Sequence, residues 1–337
     1  MDNGRIASVL AQEYLVIGGQ QRNARSLGER EEGWYKFQRG VMLSARPEPL
    51  AVLQLLDYVS PPEVCAPDEP AILFKSGTVV GDRLYACTQT EVLVYQLPDL
   101  TLVEYASAPC FNDVHHVHPT PHGSLLVAIS GLDGVVDVSH SGEVLQEWST
   151  MGGTIWDRFS PDVDYRRIAS TKPHQSHPNQ VFYIDDEPWV TRFEQRDAVS
   201  LRDPKRRIAI DIERVHDGAV VDRHVYFTTV NGHIVVANVD TLVVEDIFDI
   251  NPLYPDDVLL GWCRGIHVDG DIAWVGFSRL RLTAVRENLS WVRNRFRRHL
   301  ATRIACINLR TYAVIAEIDV QAHGLDAVFS IHPFPTH

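Results

Sequence analysis

Seven of the fifteen histidines fall in four short segments: FNDVHHVHP with His115, His116 and His118, KPHQSHPNQVF with His174 and His177, ERVHDGAVV with His216, and CRGIHVDG with His267. Imidazoles that converge from separate segments suit divalent zinc, iron or manganese, and three protein ligands leave a position for water or substrate. His115 and His116 are adjacent, so strand alternation turns only one of them inward. His116 aligns with His267 and is taken as the inward one. Acidic or amide side chains recur just ahead of these segments, where the aligned positions read Ser76, Asp113, Asn179, Asp217, Arg264 and Asp326. Their oxygens would ligate a cation or orient the histidines, although Asp and Asn also start strands and cap turns for local reasons. The expected metal set is therefore His116, His177, His216 and His267, with Asp113, Asn179, Asp217 and Asp326 beside it. Arg264 next to Cys263 would lower that thiol's pKa if the pair lay on a channel wall. The remaining histidines of the repeat, among them His118, His122, His140, His224 and His233, read as surface residues.

These residues need a scaffold that brings distant segments together, and an irregular repeat supplies one. Apolar runs meet at turns in VVGDRLYAC, VHPTPHGSLLVAI, YIDDEPWVT, VVDRHVYFT and HVDGDIAWVG, with a sixth start at AVFSIHP. Equivalent turn positions at Val80, His118, Ile184, Val221, Val268 and Ile331 are 38, 66, 37, 47 and 63 residues apart. Strands with turns of Asp, Gly and Pro between them, repeating near 40 residues, describe four-stranded antiparallel blades. The chain reads as a single domain over 1–337: an all-β, six-bladed β-propeller whose last strand is completed by N-terminal strands such as EYLVIGG, GVMLSA and LAVLQLLDY. Five blades with a loose N-terminal region is the alternative. The first strand of every blade lines the channel, which is where the histidines sit.

The two long intervals hold insertions, at about 150–176 and 279–303. In the second, Leu282, Val285, Leu289, Val292, Phe296 and Leu300 advance by three or four residues and predict an amphipathic helix. Eight arginines and one glutamate give this insertion a net charge of +7 in a chain of -13. It reads as a lid whose Arg293 and Arg297 hold an anionic substrate, or as a docking element for an acidic protein partner.

The architecture and the Asp or Asn at strand starts resemble six-bladed propellers of the gluconolactonase and senescence-marker type. That resemblance implies a central divalent cation held by acid and amide side chains, here Asn179, Asp217 and Asp113 or Asp326, and metal-bound water that opens lactones or esters. The histidines depart from that pattern and are more similar to those of propeller lyases and carotenoid-type oxygenases, which implies manganese, magnesium or iron on the axis.

Other signatures are missing: the sequence has no G-x-S-x-G elbow, P-loop, dinucleotide fingerprint or H-E-x-x-H. An excess of 44 acidic over 31 basic residues argues against nucleic acid. No apolar run reaches the length of a bilayer span, and five scattered cysteines fit a reducing cytoplasm rather than a disulfide framework. The expectation is a metal-dependent enzyme acting on a small molecule in the channel, with an anionic substrate one option, and with iron, manganese or zinc ahead of calcium. Redox-neutral lyase or hydrolase chemistry comes first, with Arg264, Arg293 and Arg297 as catalytic arginines. An iron oxygenase at the same site and a non-catalytic scaffold are the alternatives.

Overall fold

The computed structural model describes residues 3–22, 37–279 and 298–335. Six four-stranded antiparallel sheets form the ring. Blade 1 joins both ends of the chain: its innermost strand is Ala327–Pro333, followed outward by Tyr14–Gln21, Phe37–Arg46 and Ala51–Tyr58. Blades 2 to 6 begin innermost at Gly77–Val80, Val114–Pro119, Pro178–Ile184, Ala219–Val221 and Trp262–Asp269. The count is six, so the five-bladed alternative falls.

Each blade buries both faces, and the apolar residues collect in six seams between neighbouring sheets. Trp189 and Phe227 pack between blades 4 and 5, and Tyr14 and Trp274 between blades 6 and 1. The seam between blades 2 and 3 holds eighteen buried apolar residues, that between blades 3 and 4 only seven. Burial at about 25 cal/mol per Å² of apolar area makes these seams the main glue of the ring. One α-helix, Asn3–Ala11, lies among the described residues and was not anticipated. Val9 fastens it to the seam between blades 6 and 1. Among the described residues no helix is long and apolar enough to cross a membrane.

In every meander the connection between blades and the loop between second and third strands share one face of the ring, here called the head. The 150–176 segment connects blade 3 to blade 4 rather than interrupting a blade, and 280–297 leaves blade 6 between its second and third strands. The 150–176 segment therefore lies at the head, where the described ends of blade 6's second and third strands, Ser278 and Arg303, also lie. The heptad-like helix of 282–300, with Arg293 and Arg297, lies almost wholly outside the described residues. At its edge Arg298–His299 pairs in parallel with Val258–Leu259.

The innermost strands share an irregularity that decides which side chains reach the axis. In blade 3, Val114 pairs with Ile129 and His116 with Ala128, leaving His115 as a one-residue bulge. Phe329 bulges likewise in blade 1, and the ladder shifts between Pro178 and Val181 in blade 4 and between Cys263 and Ile266 in blade 6. In blades 2 and 5 the amides of Lys75 and His216 bond Cys87 O and Thr228 O in the same way. Counted through this register, Lys75, His115, Asn179, His216, Arg264 and Phe329 occupy one position, one residue from each blade. A bulge re-aims a side chain at the rim of a sheet, and six of them around a ring aim at the axis.

Candidate active site at the head of the channel

Blade 3 starts at Asp113 and blade 4 at His177, corresponding residues that both take a left-handed backbone, with φ of 51° and 52°. Such a conformation costs a non-glycine residue free energy and persists where surroundings hold it. For His177 the holder is Asp133. Its carboxylate accepts hydrogen bonds from the amides of Gln175 at 2.8 Å, Ser176 at 2.8 Å and His177 at 3.0 Å, and pairs with Arg158. This cradle fixes the loop that carries His174 and His177.

The polar groups then form one connected set. Lys75 Nζ, wholly buried, donates to Asp113 Oδ1 and lies 3.5 Å from His115 Nδ1. His115 Nε2 faces His177 Nε2 at 3.2 Å, and His177 Nδ1 faces His174 Nδ1 at 2.7 Å. His174 Nδ1 is 4.0 Å from Asp113 Oδ2. His216 stands 6.1 Å from His115 and 6.4 Å from Phe329, ring centre to ring centre. The Arg264 guanidinium lies 3.6 Å over the Phe329 ring, with Nε donating to Val328 O at 2.8 Å.

Burial governs the protonation of this set. It pushes the pKa values of His115, His174, His177 and His216 down, so the imidazoles stand neutral with lone pairs to offer. Burial also lowers Lys75, against the pull of Asp113. For Asp113 burial works upward, but the Lys75 ammonium beside it prevails and holds the carboxylate well below its usual range.

Asp113, His174 and His177 each present a ligand atom within 4.8 Å of the others, a set that suits a divalent metal ion. The neighbourhood also contains polar atoms with nothing to bond: Asn179 Oδ1 and His216 Nδ1 are buried without a hydrogen-bond partner. Such orphans are rare in native interiors, where they mark a place for a ligand, ion or water. The chemistry of the donor set fits a metal. A chain of neutral imidazoles with each of His177's nitrogens facing another ring also fits proton transfer.

Of the residues expected from sequence, the structure brings together Asp113, His177, His216 and Arg264. Asn179 adjoins them through Nδ2, which donates to Val215 O at 3.0 Å. Asp217 supports the wall, accepting from Thr228 and from Gly265 N at 2.8 Å. His116 points away into the seam with blade 2, its Nε2 3.2 Å from Gly77 O. His267 packs on Tyr14, ring centres 6.0 Å apart. Asp326 accepts from Gln21 N at 2.8 Å in the closing blade. Cys263 lies in the apolar seam between blades 5 and 6, where burial drives its thiol upward and Arg264 does not activate it. The bulge explains these placements. It puts His115 rather than His116 at the axis, and it sets His267 level with His118 and not with His116. Lys75, His115 and Asp133 complete the set. Sequence offered only weak signals for them: Lys75 sits at the end of an apolar run, and Asp133 within SGLDGVV reads as a turn residue.

No protein-family pattern and no curated protein matches the chain. Solved structures do match in fold. A protein of unknown function from Bacteroides caccae superposes with a TM-score of 0.57 over 97% of this chain and 100% of its own, at 10% identity. A virginiamycin B lyase from Staphylococcus aureus aligns over 72% of this chain and 69% of its own, with a TM-score of 0.42 and 13% identity. A streptogramin B lyase covers 73% and 68%, with 0.41 and 12%. At these identities the likeness extends to the six-bladed architecture alone.

Proposed function

We propose that this protein is a metal-dependent enzyme that acts on a small anionic molecule at the head of the channel, by redox-neutral lyase or hydrolase chemistry. The observation that carries the reading is the set of buried Asp113 with half-buried His174 and His177, beside which Asn179 Oδ1 and His216 Nδ1 lack partners. These three residues would hold a divalent ion, with iron, manganese or zinc suited to imidazole donors. When bound, such an ion polarises a carbonyl or lowers the pKa of water. The protein's own groups do the rest. His115, kept neutral by burial, accepts the hydrogen bond of His177 Nε2–H on its own Nε2 and so leaves His177 Nδ1 for the ion. His216 offers its unpartnered Nδ1 as the proton acceptor. Arg264 supplies a positive charge held flat against Phe329, which suits a carboxylate of the substrate.

A second reading has its own support in the donor types. Two imidazoles and one carboxylate are the ligands of many non-haem iron oxygenases. Metal identity separates the two. Protein purified without a histidine tag should carry about one equivalent of a divalent transition metal, and His177→Ala and His174→Ala should each reduce this below a tenth while circular dichroism stays unchanged. Iron together with substrate-dependent oxygen uptake would favour the oxygenase. Full metal retention in both variants, or no uptake from iron, manganese or zinc, overturns the metal centre.

A further inference from the structure

At the face opposite the head, a cavity of 720 Å³ opens between blades 3 and 4. Its walls come from the strand ends and turns there: Thr120, Leu126, Asp137, Trp148, Tyr183 and Arg202 among others. Blade 3's innermost strand, Val114–Pro119, runs the whole way between the two faces. At about 3.3 Å per residue that is about 20 Å, so this cavity is separate from the histidine site. It also sits over the thinnest of the six apolar seams.

The side chain that distinguishes the cavity is Asp137. Its strand pairs with Leu126 on one side and Gln146 on the other, and the ladder slips between Asp137 and Val138. Asp137 Oδ1 is buried and has no hydrogen-bond partner. A carboxylate oxygen left so is costly unless something donates to it. Trp148 and Tyr183 pack on the seam beneath and give the cavity an aromatic floor. Burial, with Asp137 adding to it, pushes the Tyr183 phenol up to about 12, so the ring stays neutral. Asp186 adds a second carboxylate at the mouth, with Arg202 the one full positive charge among the lining residues.

An unpartnered carboxylate over aromatic rings, in an acidic mouth, matches one ligand chemistry. An alkylammonium group gives the carboxylate a charge-assisted donor and is attracted to aromatic faces at the same time. We infer that this cavity is a second binding site, which takes a primary amine whose ammonium pairs with Asp137 and whose apolar body lies on Trp148 and Tyr183. A sugar would satisfy the oxygen through a hydroxyl but would gain nothing from the charge. The inference does not depend on the metal centre.

Calorimetry with tryptamine tests it. Tryptamine should bind saturably to the full-length protein, at least tenfold more tightly than its neutral alcohol analogue tryptophol. Asp137→Asn should weaken tryptamine at least tenfold and leave tryptophol unchanged, and Trp148→Ala should weaken both. His177→Ala should bind tryptamine as the native protein does. Equal binding of tryptamine and tryptophol, unchanged affinity in Asp137→Asn, or no saturable binding at millimolar amine overturns the inference. Loss of binding in His177→Ala would move the amine to the head of the channel and overturn it as well.

Discussion

The innermost strands of blades 3 and 6 have the same ladder, the same bulge and a histidine at the same level beyond it, yet blade 3 brings Asp113 and His115 to the candidate site while blade 6 brings only Arg264 and spends the rest of its strand on packing. In blade 3 the strand start and bulge supply Asp113 and His115, and the neighbouring loop adds His174 and His177. In blade 6 the start is Trp262, the bulge holds Arg264 and Gly265, and the rest of the strand leans on Tyr14 and Trp274. The difference teaches that residue type along these strands says little, while distance from the bulge says a great deal. A histidine three residues past the bulge, His118 or His267, meets a ring of the next blade. A histidine on the bulge meets the axis.

The contrast breaks most visibly at Trp274, which is fully buried opposite His267. Trp274→Ala should cost about 3–5 kcal/mol in chemical denaturation, as large aromatic deletions in a core do, while the folded fraction keeps its metal content. Loss of metal there would mean that packing and chemistry are not separable by strand position. Asp133 offers the reverse case, an acid whose hydrogen bonds serve the head. Asp133→Ala should lower metal affinity about 10–100-fold, the usual effect of removing a residue that orients ligands, and should destabilise the fold by about 1–3 kcal/mol. An unchanged metal titration would show that the His174–His177 loop holds itself.

A smaller effect is expected at His332, level with His267 and His118 in the register of blade 1. Burial depresses its pKa to about 3, and Nε2 has no hydrogen-bond partner. The folded protein thus keeps this ring neutral where the unfolded chain, with an ordinary histidine pKa near 6.5, takes up a proton. Stability from this group is full above about 6.5 and is lost as pH falls toward 3. His332→Phe should flatten that part of the pH–melting curve, and a curve parallel to the native one would contradict the assignment. The smallest change belongs to His140, which pairs with Glu104 on the outside of the ring. His140→Ala should shift stability by less than about 0.5 kcal/mol and leave metal binding alone.

Much of the fold was legible because its signals are local. Turns such as VVGDRLYAC and HVDGDIAWVG mark strand pairs by alternation, and EYLVIGG and AVFSIHP stood out as strands lacking partners within their own stretch of chain. The site was legible only in residue type. Asp113, His177, His216 and Arg264 could be singled out, but the aligned list of Ser76, Asp113, Asn179, Asp217, Arg264 and Asp326 mixes four different levels of the ladder. A one-residue bulge leaves no mark in hydrophobic alternation strong enough to fix the register, and an error of one residue exchanges axis for seam. Lys75 escaped for another reason: a lysine at the end of AILFK reads as a surface charge until a carboxylate from the next blade is seen to cover it. The helix of 282–300, the clearest periodicity in the chain, falls almost wholly on residues that the structure does not describe.

The closing blade has a consequence for how the molecule comes into being. Tyr14–Gln21 must wait for Ala327–Pro333, made some three hundred residues later, before its open side is paired. Phe329, on which Arg264 lies, arrives with that last strand. During synthesis the growing chain is therefore a row of sheets with an unprotected margin, prone to pair with another such row. The axis does not exist until the row bends shut. Any binding that belongs to the axis is thereby confined to molecules that have finished folding, and a partly made copy has no means of competing for the same ligand.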